Sequence, residues 1–142
     1  MEERKSTINS SLKFNNYIVN QVNFKVNESA NNEEKNWNLT FNISNRTMVN
    51  EEKNQMNLRL KVSVFKDIQN APFYMDVEIT GFFELIGEDD ISKYEANAIA
   101  IMYPYLRAIV STYTASANIN PLILPAINVN AMLKRKNKQK EN

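Results

Sequence analysis

Met56-Asn-Leu-Arg-Leu-Lys-Val-Ser-Val64 puts Met56, Leu58, Leu60, Val62 and Val64 on one side of an extended chain and Asn57, Arg59, Lys61 and Ser63 on the other. Successive side chains of a strand point to opposite faces, so this alternation describes a strand with one buried and one wet face. The pattern recurs on both sides of it. Upstream, Trp37, Leu39, Phe41 and Ile43 alternate with Asn38, Thr40, Asn42 and Ser44; downstream, residues 73–85 put Met75, Val77, Ile79 and Phe83 inward against Asp76, Glu78 and Thr80. Residues 17–26 give a weaker strand: Ile18, Val22, Phe24 and Val26 fit one face, Asn20 interrupts, and Val19 falls on the other. Short polar links at 50–54 and 70–72 imply antiparallel neighbours, and residues 27–36 form a longer polar crossover. Such a sheet leaves one face to water, and its other face needs a cover.

The C-terminal part supplies that cover. Ile91, Tyr94, Ala98, Ile101, Tyr105, Ile109 and Thr112 or Tyr113 recur at spacings of three and four, so 91–115 reads as helix with this stripe inward. Asp89 or Asp90 is placed to cap it, and Ser92 with Glu95 has capping-box spacing. Pro104 removes a backbone hydrogen bond in the middle, so a kink or two abutting helices are expected near Tyr103. Then comes Asn120-Pro-Leu-Ile-Leu-Pro-Ala-Ile-Asn128, a proline-bracketed apolar loop that reads as a movable cover, followed by a short helix over 130–136 with Ala131, Met132 and Leu133. The expected fold class is α+β: a four-stranded antiparallel sheet with two C-terminal helices packed on one face. Residues 1–16 are assigned to a flexible N-terminal segment and 17–133 to the folded domain. Residues 134–142, with Lys134, Arg135, Lys136, Lys138 and Lys140, are assigned to a basic disordered tail.

Composition narrows the function. A chain of 142 residues with 43% apolar content supports one core. With 17 basic and 16 acidic residues, the net charge of +1 sets up no whole-chain field for nucleic acid or an acidic partner. There is no Cys and no His, so a disulfide framework, a thiolate nucleophile and the commonest metal ligands and acid/base group are all missing. No cofactor, metal or catalytic set is expected. Gly81 and Gly87 are the only glycines, which excludes a Gly-rich phosphate loop; Gly81 reads as a bend or bulge in a strand. Glu88, Asp89 and Asp90 at a helix start are explained by capping and the helix dipole. The basic tail reads as a solubilising end rather than a nucleic-acid contact. The polar opening Met1-Glu-Glu-Arg-Lys5 lacks a signal-peptide core, no stretch suffices to cross a bilayer, and the Asn and Lys abundance suits AT-rich codons. The expected location is the cytoplasm of a bacterium, without membrane insertion.

Three segments together resemble the SecB family of export chaperones: Val77-Glu-Ile-Thr-Gly-Phe-Phe-Glu-Leu-Ile-Gly87, Met102-Tyr-Pro-Tyr-Leu-Arg-Ala-Ile-Val110, and Asn120-Pro-Leu-Ile-Leu-Pro-Ala-Ile-Asn-Val-Asn-Ala-Met-Leu133. The family has a strand ending in Gly-Phe, a Phe-Pro-Tyr-Ala-Arg helix and a Leu-Ala-Pro-Val-Asn-Phe loop into its last helix; Trp37 sits where it keeps a tryptophan. The resemblance spans 17–133 and implies an ATP-independent holdase, self-associated as a dimer or tetramer, that binds unfolded preproteins or other extended polypeptides in apolar grooves. Their walls here would be Val19, Trp37, Leu39, Phe41, Leu122, Ile123, Ile127, Met132 and Leu133. By pattern alone, an inward Leu39 or Phe41 is more often core, whereas Trp37 and the loop at 122–124 carry more apolar surface than loops usually bury.

The resemblance also implies a docking face for the translocase motor SecA on the wet side of the sheet, with acids on the first strand. The matching surface here is Gln21, Lys25, Tyr74 and Asp76, where only Asp76 keeps the acid. A lysine at a charge-matched interface reverses its contribution. The acidic family tail is likewise replaced by a basic one. These departures favour a single specialised client, such as the antitoxin served by SecB-like relatives in toxin–antitoxin systems, over export with SecA. Two readings of other classes are a non-chaperone oligomeric assembly factor and a small-ligand carrier with a closed cavity between sheet and helices.

Overall fold

The computed structural model describes residues 10–29 and 38–141. Strands β1 (Ser11–Val26), β2 (Phe41–Val49), β3 (Gln55–Val64) and β4 (Phe73–Ile86) form one antiparallel sheet in the order β1-β4-β3-β2, so β1 and β2 are its edges. A 3-10 turn at Ile91–Tyr94 leads into α1 (Glu95–Ser116), which lies on β3 and β4, and α2 (Val129–Glu141) packs against α1. The α+β architecture is the expected one. Its core joins Leu58, Leu60 and Val62 of β3 and Val77 and Ile79 of β4 to Ile99, Met102 and Leu106 of α1, all fully buried. At about 1.5–3 kcal/mol per buried aliphatic side chain, this layer dominates the favourable side of folding.

The strand β1 begins at Ser11, so it takes in residues 11–16, which the sequence pattern assigns to a flexible segment; residues 1–9 lie outside the described residues. The register with β4 shifts between Phe14 and Asn16 and again between Val19 and Gln21. Each extra residue flips the succeeding side chains to the other face. Tyr17, Val19, Val22 and Phe24 therefore stand opposite Gly81, Ile79, Val77 and Met75 on the core side, and Ile18, opposite Thr80, turns outward. This reverses the expected faces of Ile18 and Val19 and explains the interruption at Asn20, whose carboxamide oxygen accepts the Thr80 hydroxyl at 2.6 Å. The bulges lie in β1 and not at Gly81. What Gly81 provides is room, because a Cβ there would sit 2.5 Å from Met102 Sδ and 2.9 Å from Phe83.

The inward face of α1 is Ala98, Ile99, Met102, Tyr103, Leu106, Val110 and Thr114, rotated from the expected stripe. Ile91 and Tyr94 belong to a 3-10 turn with three residues per turn, so extending their phase along a 3.6-residue helix misplaces the face. Tyr105 lies to the flank, stacked on Tyr17 with ring centres 4.6 Å apart. The helix runs unbroken through Pro104. Both Pro104 and Ala100, whose carbonyl would have accepted the missing bond, are exposed, so the gap in the ladder lies on the solvent side of the helix.

Asp90 caps the 3-10 turn: its carboxylate accepts the Ser92 N–H at 2.9 Å, and bonds from Ser92 hold the carboxyl below its usual range. The capping box does not form, since Glu95 instead accepts from the Asn45 carboxamide at 3.4 Å. At the far end Asn128 caps α2 by accepting the Ala131 N–H at 2.9 Å, and the helix continues to Glu141. Lys134, Arg135, Lys136 and Lys138 are thus helical residues, which corrects the disordered tail.

Candidate polypeptide-binding groove

The expected strand at 37–44 is displaced to Phe41–Val49. The polar run from Asn45 to Thr47 hid its second half, yet both side chains face the core side, where Asn45 donates to the Thr47 hydroxyl at 2.9 Å. The Phe65 N–H bonds the Thr40 carbonyl at 2.8 Å and the Asn50 N–H bonds that of Gln55 at 3.2 Å. Those two bonds set the phase of the ladder: even-numbered residues of β2 exchange hydrogen bonds with β3, and Phe41, Ile43, Asn45 and Thr47 turn N–H and C=O toward the open edge. The same odd-numbered residues carry the side chains on the α2 side.

Beside that edge runs a groove. One cavity of about 400 Å³ is lined by Ile43, Ser44, Asn45, Met132, Arg135 and Lys136. A second, of about 280 Å³, is lined by Phe41, Ile43, Ile127, Asn128, Ala131 and Met132. They share Asn42, Ile43, Met132 and Arg135, so the two are one trough between β2 and α2. Its floor is Phe41, Ile43, Ile127 and Met132. Above the sheet, by contrast, Met102, Leu106 and Leu124 are fully buried, and the cavities lie at the sheet's edge.

The wall formed by α2 is held in place by the loop before it, and that loop is strapped down rather than free to swing. Leu124 is fully buried. Arg107 Nε donates to the Leu124 carbonyl at 2.8 Å, Ser111 Oγ to that of Leu122 at 2.8 Å, and the Tyr103 hydroxyl to that of Pro125. The Leu122 N–H in turn reaches Thr114 Oγ1 at 2.8 Å. Tyr103, Arg107, Ser111 and Thr114 fall on one line of α1, which is why a single helix satisfies the backbone of an irregular segment. Burial pushes the Tyr103 hydroxyl above its ordinary pKa against the opposing pull of Arg107, so it stays a neutral donor. The movable cover read from the prolines is corrected accordingly. Replacing Thr114, fully buried, by Val leaves the Leu122 N–H unpaired. A stability loss of about 1–3 kcal/mol in urea unfolding and faster amide exchange at Leu122 are expected.

Of the wall residues expected from sequence, Phe41, Ile127 and Met132 line the groove. Leu39, Leu122 and Leu133 are half-buried against the core, and Ile123 is 69% exposed on the loop. Val19, 47% exposed, lies on β1 at the opposite edge of the sheet and is not part of this groove. Trp37 lies outside the described residues. Ile43 and Arg135 escape the sequence reading: Ile43 has the same alternation as Phe41 and reads as core, and Arg135 reads as tail. Gln21, Lys25, Tyr74 and Asp76 share the outer face of β1 and β4, with Lys25 directly opposite Tyr74. Among the described residues no group of His, Cys, Asp and Glu is arranged to hold a metal, and no helix is long and apolar enough to cross a membrane.

Comparison with known proteins gives a coherent result. The family model for SecB, preprotein translocase subunit, matches residues 5–140. An uncharacterized protein of Methanocaldococcus jannaschii is 40% identical over 131 residues, covering 87% of this chain and 83% of its own length. The protein-export protein SecB of Dichelobacter nodosus is 27% identical over 108 residues, 73% of this chain and 69% of its own. Among solved structures, the SecB-like chaperone of Mycobacterium tuberculosis in complex with a ChAD peptide from the HigA1 antitoxin superposes with a TM-score of 0.60 at 18% identity, over 87% of this chain and 95% of the other. That likeness establishes the fold, and the family model covers nearly the whole chain. The chain belongs to the SecB family.

Proposed function

We propose that the protein is an ATP-independent holdase that keeps extended polypeptide in the trough between β2 and α2. The observation that carries this reading is the coincidence, along β2, of a strand edge with no partner among the described residues and an apolar floor. An added strand gains main-chain hydrogen bonds whatever its sequence, while its alternate side chains meet Phe41, Ile43 and Met132. Met is unbranched and polarizable, which suits a floor that accepts varied side chains. Half-exposed apolar residues on the opposite edge and on α1, namely Val19, Val26, Tyr105 and Tyr113, support self-association as a dimer or tetramer. The working location is the cytoplasm.

A single specialised client is favoured over export. Gln21 and Lys25 occupy the outer face where an acidic surface would be needed to dock SecA, and the Mycobacterium tuberculosis neighbour was solved with an antitoxin peptide. The test is the light scattering of a reduced, unfolded client at equimolar ratio without nucleotide. Slowed aggregation is expected; an unchanged rate removes the holdase reading and leaves the assembly-factor one.

A further inference from the structure

The trough continues over the edge of β2. Ser44 and Asn45 line both the larger cavity and a third of about 220 Å³ on the outer face, bounded by Arg46, Arg59, Lys61 and Glu78. Arg46 stands directly opposite Arg59 in the β2–β3 register, an arrangement of like charges that a sheet disfavours for its own stability. Glu78 is the only acid bounding this cavity, and it pairs with Arg59 at 3.6 Å. Arg46, Lys61 and Arg135 have no ion-pair partner among the described residues, whereas Lys13, Lys53 and Lys93 elsewhere each have one. The net charge is only +1, so this accumulation is local.

Resting on the reading of the trough given above, we propose that the site selects acidic clients, with apolar and acidic side chains alternating along the bound strand. A strand added to β2 points every second side chain toward Ile43 and Met132 and the intervening ones toward Ser44 and Arg46, because cross-strand neighbours share a face. Apolar residues fit the first row. Carboxylates fit the second, where Arg46 and Lys61 meet them, and Arg135 receives a further one at the end of the floor. Single-stranded nucleic acid fits less well, since among the described residues the cavity on the outer rim is lined by no aromatic ring for a base to stack on.

Three fluorescein-labelled peptides test this, each alternating Val with Glu, Gln or Lys, measured by anisotropy on the full chain. The Glu peptide is expected to bind about tenfold tighter than the Lys peptide at low salt, with Gln between, and the spread should narrow as salt is added. Arg46→Glu with Lys61→Glu, both exposed positions, should reverse the order. Equal affinity for the three peptides overturns charge selection, as does oligouridylate binding more tightly than the Glu peptide. If the three bind equally and Met132→Asp weakens them all, the trough stands and only its acidic preference falls. If none binds, the trough reading falls with it.

Discussion

Met132→Asp is expected to cost about 2–4 kcal/mol of client binding, an affinity loss of roughly 30- to 1,000-fold. Met132 lines both halves of the trough, and any strand laid along β2 must cover it. A carboxylate there is desolvated by the client without a partner of its own, which adds a burial penalty to the lost contact. Because Met132 is only half-buried in the free protein, and α2 keeps Val129 and Leu133 against the core, circular dichroism should remain that of the parent. Met132→Ala should give a smaller loss in the same direction. Titration of a labelled unfolded client into the variant decides it: unchanged affinity with an intact fold places the client elsewhere.

Leu124→Ala is expected to lower unfolding stability by about 2–5 kcal/mol, the range for removing a fully buried leucine from a packed core. The residue sits in the middle of an irregular segment yet is as buried as Leu106 on α1. Its carbonyl is the acceptor for Arg107, so the cavity left by the substitution lies beneath the strap that holds α2 beside β2. Urea unfolding followed by tyrosine fluorescence measures the loss, and client affinity should fall with it as the trough widens. A cost below about 0.5 kcal/mol, the range of neutral surface changes, would mean that the loop is not anchored through this side chain.

Much of this architecture is written in short-range pattern, and the places where it is not have identifiable causes. The alternation in residues 56–64 locates β3 and its buried face because an internal strand packs with every second side chain in the core. In β1 the phase is lost because two bulges insert residues that no period-two reading anticipates, and the one cue present, Asn20 between Ile18 and Val22 on the expected face, points to an interruption without saying that faces swap after it. The core face of α1 is rotated by a 3-10 turn that looks helical in sequence.

In the site, Phe41, Ile127 and Met132 are named in advance by the resemblance to the SecB family, whereas the straps from Tyr103, Arg107, Ser111 and Thr114 are not. Those four residues lie off the stripe that the spacing marks as inward, and only the return of residues 122–125 over α1 gives them partners. Arg135 is hidden for a related reason. A lysine-rich end resembles a solvated tail until a cap at Asn128 starts a helix that carries it back beside β2.

The most direct test is residue-resolved amide exchange by NMR on the free protein and with an unfolded client bound. The N–H groups of Ile43, Asn45 and Thr47 face the open edge, so they should exchange quickly when free and become protected on binding, while β1 amides on the opposite edge change little. Protection confined to β1, or unchanged exchange along β2 with client saturating, would contradict the trough as the place where polypeptide is held.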